Sequence, residues 1–378
     1  MENPFYITGT IPERFFFDRA KETEKMVQIL TNKAHILLTS PRRMGKTQLI
    51  NHVYAQADLS EKYNTFYTDI FPTSSLHEFV LFLSKEIYSK LVPQRKSVLD
   101  HFIASLKSLS GSFGYNPLTG TPTFNIRLGD IHSPELTLEE ICAYLESAEK
   151  PCIFAIDEFQ QVSNYPEKNV EALLRSYIQS MNNCCFIYAG SNRHILENMF
   201  HSPAKPFYNS AEQMYLDKIP EDIYVSHSLE LIKECGREAE EDAVRLAYRL
   251  FDGHTYYVHN LLHNAFADIK PSETIYTGSI YKTLDTILDD KAKSFASIIN
   301  QLNYPQKETL VAIAKEGKAT SVTSTQFMKR HSLTSPSSVQ YSITKLLDAQ
   351  LISFENFGRT KTYCIADKFL EKWIARTY

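Results

Sequence analysis

The sequence predicts an α/β chain: a parallel sheet interleaved with helices, then a wholly helical segment, then a small tail of helices and a two-stranded ribbon. Three observations predict it. Apolar runs of strand length at 34–39, 152–158 and 184–189 alternate with helical stretches. From about 220 to 300 apolar residues recur only at three- and four-residue spacing. From 304 three short helical stretches precede two strand-like runs.

A helix over 19–30 leads into the first strand, and residues 34–50 carry the most informative motif. Ile36 to Leu38 feeds a short turn, Ser40-Pro41-Arg42-Arg43-Met44, and a helix opens at Gly45-Lys46-Thr47-Gln48. Successive backbone N–H groups in such a turn form an anion nest, and the helix N-terminus adds partial positive charge. Lys46 is the expected β/γ-phosphate contact and Thr47 the expected Mg²⁺ ligand. The pattern G-x-x-x-x-G-K-[ST] wants glycine first, and Ser40 stands there instead. Serine accepts a tight turn less readily than glycine, although its short side chain can satisfy a backbone group.

A strand over 65–71 comes next, then a helix capped by Ser75 and running to Leu91. Residues 92–135 are the least regular stretch and read as an insertion: a helix over 98–106, turn formers, then an extended 123–128. This suggests a hairpin over the nucleotide or a partner. Helix 137–147 precedes the second motif, Cys-Ile-Phe-Ala-Ile-Asp-Glu at 152–158, a run apolar on both faces that ends in two acids. Such a run is what a central parallel strand looks like, and ligands of open α/β sheets gather at carboxyl ends of strands. Asp157 is therefore expected to hold Mg²⁺, directly or through water, and Glu158 to take a proton from the attacking water.

Helix 169–181, strand 184–189 and a fifth strand at 214–216 complete the sheet. A strand lies between the two motif strands, and a polar residue, Ser191 or Asn192, ends the next one. That layout suits the P-loop NTPase branch of ASCE type, with sheet order 5-1-4-3-2 and a catalytic glutamate beside the Mg²⁺ aspartate. Ser191 or Asn192 then orients the water or senses the γ-phosphate. Adenine is favoured over guanine because no N-K-x-D follows the acidic strand.

Helices near 222–235, 239–251, 255–268, 279–289 and 291–302 read as a lid, with Gly253 as a helix stop. The tail reads as a winged helix: helices at 306–316, 325–331 and 335–349, then strands 351–355 and 362–365. Its third helix offers Ser337, Ser338, Gln340, Tyr341, Thr344 and Lys345, and its wing Arg359 and Lys361, as DNA contacts, sparsely basic ones. The same fold also serves as a protein-contact module. The domains expected are 1–218, 219–302 and 303–378.

The chain has 378 residues and a net charge of −4, with 43% hydrophobic and 22% charged residues, ordinary for a globular protein. Residues 301–378 hold 11 Lys/Arg against 6 Asp/Glu, leaving 29 against 38 for the rest, so a basic tail joins an acidic body. No apolar run is long enough for a bilayer, and the start lacks a signal-type apolar region. Six scattered cysteines without C-x-x-C spacing suit free thiols in a reducing cytoplasm. His259 and His263 are four apart, but no HExxH glutamate accompanies them, which argues against zinc.

These motifs together resemble the AAA family ATPases of archaeal-ATPase type, related to the STAND and AAA+ groups. The resemblance rests on 16–24 (Phe-Phe-Asp-Arg-Ala-Lys-Glu-Thr-Glu), 40–47, 156–160 (Ile-Asp-Glu-Phe-Gln), 189–191 (Ala-Gly-Ser), 253–258 (Gly-His-Thr-Tyr-Tyr-Val) and the winged-helix tail. It implies that 16–24 lines the adenine side with Arg19 near the nucleotide, and that the lid motif brings His254 to base or phosphates. Thr255 replaces the family's proline there, and Asn209-Ser210 stand where Gly-Arg would follow Tyr208. Arg42, Arg43, Arg175 and Arg193 remain as candidates for charge compensation.

The expectation is a cytoplasmic ATPase using ATP and Mg²⁺ as a conformational switch. Its winged helix would read the switch out to a protein partner or DNA, with a nucleotide-dependent oligomer among the outcomes and no membrane role. The rival readings are a small-molecule kinase, a non-hydrolysing ATP-bound transcription regulator and a scaffold.

Overall fold

Strand formation follows the apolar runs, and their pairing fixes where the site lies. In a computed structural model, β1 (Ile36–Thr39), β2 (Asn64–Asp69), β3 (Cys152–Asp157), β4 (Cys184–Gly190) and β5 (Glu212–Tyr215) form one parallel sheet. Its order is β2-β3-β4-β1-β5, which is the expected 5-1-4-3-2 read from the other edge. The structure describes residues 2–9, 11–92, 96–115, 122–124, 126–270, 273–357 and 360–378.

β1, β3 and β4 are buried along their whole length, as their uninterrupted apolar sequences require. β2, at the sheet edge, alternates instead, so Thr65, Tyr67 and Asp69 share the less buried side. Register brings Thr39 opposite Gly190 and Asp69 opposite Asp157, so the polar ends of these strands meet at one rim. Beneath that rim Phe159, Tyr188, Phe200 and Phe207 pack with ring centroids 4.7–6.0 Å apart. A fully buried phenylalanine of this kind is worth about 3–5 kcal/mol against alanine. At the other end His35 accepts the Phe186 N–H at Nδ1 (3.1 Å). Burial and then the Arg175 charge push its imidazole down to about 4.

The chain divides into two compact units, Asp18–Asp217 and the segment through Phe17 together with Lys218–Tyr378. In the first, helices Ala20–Thr31, Lys46–Ala55, Leu76–Leu91, Pro134–Ser147, Val170–Gln179 and Arg193–His201 connect and flank the sheet. Ser75 caps the third of these, accepting the Glu78 N–H at 3.3 Å. The stretch read as an insertion contains helix Lys96–Ser105 and an antiparallel pair, Phe113–Tyr115 with Pro122–Phe124; its tip, 116–121, lies outside the described residues.

In the second unit helices Glu221–Glu234, Glu241–Leu250 and Thr255–Asp268 enclose the N-terminal aromatics Phe5, Phe15 and Phe17. Where two helices were expected, one runs unbroken over Thr277–Asn300. No glycine or proline interrupts its interior, and the buried series Ile280, Leu284, Ile287, Leu288, Phe295, Ile299 continues through the expected break. The tail is a winged helix: Tyr304–Glu316, Thr325–Arg330 and Pro336–Asp348, then strands Ile352–Phe357 and Thr360–Ile365, the second of which also pairs with Ala319–Thr320. A last helix, Lys368–Thr377, was not expected from the sequence. Asp367 caps it, and Phe369, Leu370, Trp373 and Ile374 form its buried face. Arg376 ties it to Asp285 and Asp289 of the long helix. All six cysteines are free thiols, and among the described residues no helix is long and apolar enough to cross a membrane.

Candidate functional site

The turn after β1 explains its own sequence. Arg43 (φ 67°) and Gly45 (φ 89°) take left-handed conformations, whereas Ser40 is not among the positive-φ residues. Glycine is therefore not required at the first position of the turn. Nothing crowds a Cβ at Gly45, so its φ and not its space demands glycine there. The Ser40 N–H extends the β1–β4 ladder to the Gly190 carbonyl (3.3 Å), and its hydroxyl donates to the Pro41 carbonyl (3.0 Å). Pro41, Arg42 and Arg43 are exposed, Met44 is buried, and Gln48 is half-buried in the first turn of the helix.

The helix opening at Lys46 carries two side chains to the end of β3. Lys46 Nζ lies 3.2 Å from Asp157 Oδ1 and 3.7 Å from Glu158 Oε1, and both the lysine and the aspartate are buried. The Thr47 hydroxyl donates to Asp157 Oδ2 at 3.2 Å. A hydroxyl and a carboxylate that already share a contact are hard oxygen donors, the set that suits Mg²⁺. Sequence reasoning missed a third member: Tyr67 of β2 donates to the same Oδ2 at 2.8 Å and stands 3.2 Å from the Thr47 hydroxyl. Burial and then the Asp157 charge raise its phenol above the ordinary value, which keeps it a donor. The signal available was the two-residue period of β2, which sets Tyr67 and Asp69 on one side.

Glu158 leaves the strand with φ 56° and ψ 39°. Its Oε2 accepts from the Ser191 hydroxyl (2.8 Å) and from Nε2 of Gln160. Ser191 in turn accepts from Nε of Arg42 (3.3 Å), whose guanidinium lies 5.5 Å from the Phe71 ring centroid. Of the two polar residues ending β4, Ser191 contacts Glu158. Asn192 is exposed and caps the following helix, its Oδ1 taking the Ile195 N–H at 3.2 Å. Arg193 is engaged with Glu197 (2.7 Å) and the Tyr215 ring.

Arg19, at the start of the first helix, is buried with φ 71°, one Nη on Glu22 (2.8 Å) and the other on the Asp217 carbonyl (2.6 Å). In the other unit His254 begins helix Thr255–Asp268 and donates from Nδ1 to the Phe251 carbonyl (2.9 Å). Burial, then the Lys368 charge, lowers its pKa and keeps the ring neutral. His259 and His263 likewise spend Nδ1 on the carbonyls of Tyr6 (3.4 Å) and Phe5 (2.8 Å). Of the wing residues expected to touch a partner, Lys361 is exposed, and Arg359 lies outside the described residues.

A parallel sheet in this order, with an anion-type turn after its first strand and two acids at the end of its third, defines the P-loop NTPase-like class. Within that class the sequence is specific: residues 16–261 match the family described as an ATPase domain predominantly from Archaea, and the chain belongs to that family. Residues 293–376 match a probable winged helix domain. No curated protein matches the chain in sequence. Solved structures share the fold across nearly the whole chain. The Walker-type ATPase PABY2304 of Pyrococcus abyssi aligns over 98% of this chain and 99% of its own, at TM-score 0.64 and 17% identity. The Aeropyrum pernix ORC2 protein, solved with ADPNP and ADP, aligns over 99% and 96% at TM-score 0.58 and 14% identity. The Aeropyrum pernix ORC1 protein, solved in complex with DNA, aligns over 98% and 94% at TM-score 0.50 and 14% identity.

Proposed function

We propose that the protein binds ATP with Mg²⁺ and hydrolyses it slowly or on activation by a partner, using the nucleotide as a switch. The observation that carries this reading is the convergence of Lys46, Thr47, Asp157 and Glu158 within 3.7 Å contacts at one sheet rim. In this reading the turn 40–45 and the N-terminus of helix Lys46–Ala55 receive the phosphates, and Lys46 turns from the two carboxylates to the β/γ-phosphates. Mg²⁺, when bound to Thr47 and Asp157, supplies charge neutralisation on the phosphate oxygens. Glu158 takes the proton of the attacking water, and Ser191, already hydrogen-bonded to it, senses the γ-phosphate. Asn192, on the same turn, is assigned to orienting the water, and Arg19 to nucleotide recognition.

A switch requires that nucleotide bind two states with different affinity. We assign the second state to residues 219–302 and the readout to the winged helix. The outward face of helix Pro336–Asp348 presents Ser337, Gln340, Tyr341, Thr344 and Lys345, with Tyr341 59% exposed. So neutral a face favours a protein partner over a DNA duplex. The Aeropyrum relative solved with DNA supports the second reading, DNA.

Steady-state ATP turnover and ATP binding in wild type and Glu158→Gln test the proposal. Turnover in wild type, with binding retained and turnover lowered about 10²–10⁴-fold in the variant, is the expected result. Binding without turnover in wild type, alone or with candidate partners, would mark ATP as a static ligand.

A further inference from the structure

Gln160 takes no part in the reading above, yet its placement is tightly specified. It lies in the 3₁₀ turn Phe159–Asn164 that follows β3, and it is buried. Its Nε2 donates to Oε2 of Glu158, the same oxygen that takes the Ser191 hydroxyl. The left-handed backbone at Glu158 accompanies this reach across only two residues. The other half of the amide makes no comparable bond: Oε1 is buried with no hydrogen-bond partner. A buried unpartnered carbonyl is unfavourable, and an apolar side chain of the same size would avoid it. The surroundings are nevertheless shaped for this amide. A Cβ at Gly190 would overlap Gln160 Oε1 and come within 2.7 Å of Leu196 Cδ1, so the absence of a side chain at Gly190 makes the room.

We infer that Gln160 is a positioning residue for Glu158, with Gly190 as the gap that admits it. Gln160 and Ser191 hold Oε2 from two sides. Oε1, 3.7 Å from Lys46 Nζ, is thereby left facing the phosphate loop as the oxygen that receives the proton. This rests on the reading of Glu158 as general base, and it adds which oxygen acts and what fixes it. The arrangement also explains the glutamine in the Ile-Asp-Glu-Phe-Gln run at 156–160, a residue that needs neither charge nor contact with nucleotide to matter.

The test is a double-mutant cycle in ATP turnover, with ATP affinity measured alongside. Gln160→Met keeps the length and removes the donor; Gln160→Leu repeats the comparison if methionine disturbs folding. Either variant is expected to lower kcat at least about tenfold, the loss of a hydrogen bond to a charged group, with KM and ATP affinity unchanged. In a Glu158→Gln background the same substitution is expected to change residual turnover less than about twofold, because its effect runs through the carboxylate. Gly190→Ala is expected to reproduce the kcat loss by displacing the amide. Wild-type kcat in a folded Gln160→Met protein would overturn the inference while leaving the ATPase reading intact. An equal loss in both backgrounds would also overturn it, since packing alone would do that. A wild-type protein that binds ATP and never turns it over would remove the ATPase reading and this role with it.

Discussion

The hydroxyl of Tyr67 reaches Asp157 Oδ2 across 2.8 Å, although the two residues stand 90 apart in the chain. β2 and β3 pair Tyr67 with Ala155 and Asp69 with Asp157, so the tyrosine leans along its strand toward the polar rim. With Thr47 it makes a closed triangle on one carboxylate oxygen. The aspartate is thereby fixed in one orientation before any ligand arrives.

Tyr67→Phe keeps the ring and removes the donor. It is expected to cost about 1.5–3 kcal/mol in urea unfolding, the range for a hydrogen bond to a charged acceptor. A protein as stable as wild type would show that Asp157 needs no such support.

Stability is expected to fall between pH 6.5 and 4. Burial pushes His259 down to about 4, and its ring packs among Phe5, Phe17 and Tyr224. The folded protein keeps it neutral while the unfolded chain, with an ordinary value of 6.5, takes up a proton. Unfolding therefore binds protons in that window, so the contribution is complete above 6.5 and is lost as pH drops toward 4. Its size is roughly 3 kcal/mol. Trp373 is the only tryptophan and lies in the same unit, so its fluorescence in urea titrations from pH 4 to 8 reports the effect. His259→Phe, which cannot protonate, should flatten the slope. An unchanged slope would assign the pH dependence to other groups, His35 in the sheet unit first.

The sheet and its rim were legible because their signals are local: unbroken apolar runs for β1, β3 and β4, and a lysine-threonine pair at a helix start. Unreadable parts depend on contacts distant in sequence. Tyr67 joins the site only through the pairing of β2 with β3. Gln160 was visible as a letter in a motif, but its partners, Glu158 and the empty side of Gly190, emerge only when β3 and β4 lie side by side. The break expected near residue 290 falls at Asp289-Asp290-Lys291, charges on the solvent face of a helix that continues beneath them. The N-terminal stretch carries few periodic signals, and the place of Phe5, Phe15 and Phe17 among the helices of the second unit follows from three aromatics joining its hydrophobic core.

Gly253→Ala should destabilise the second unit without touching the sheet. Gly253 has φ 69°, and a Cβ there would sit 2.5 Å from the Tyr248 hydroxyl. That hydroxyl donates to the Ile219 carbonyl at 2.6 Å, so it cannot move without losing a buried bond. Backbone strain and the displaced tyrosine together suggest a loss of about 2–4 kcal/mol. Differential hydrogen exchange would localise it: faster exchange in 241–268 and unchanged protection in β1, β3 and β4. Uniform destabilisation would show that the two units unfold as one.

The winged helix is expected to contact duplex DNA weakly if at all through its third helix. Lys345 is drawn toward Asp348 (3.4 Å), and Lys361 of the wing lies 4.7 Å from the Phe354 ring centroid. The three cations offered to phosphates, Lys345, Arg359 and Lys361, give a slope of log K against log salt of about −3. Fluorescence anisotropy with a labelled duplex at rising salt should therefore show a slope no steeper than that. Lys345→Ala with Lys361→Ala should weaken what binding there is and bring the slope to about −1. Tyr341→Ala, which leaves the charge untouched, is expected to spare DNA binding and to weaken a protein partner that docks on the same face. A slope near about −5 that collapses in the double variant would reverse the preference and make DNA the partner. The outcome turns on charge alone, because a protein interface anchored by an exposed tyrosine has no comparable dependence on salt.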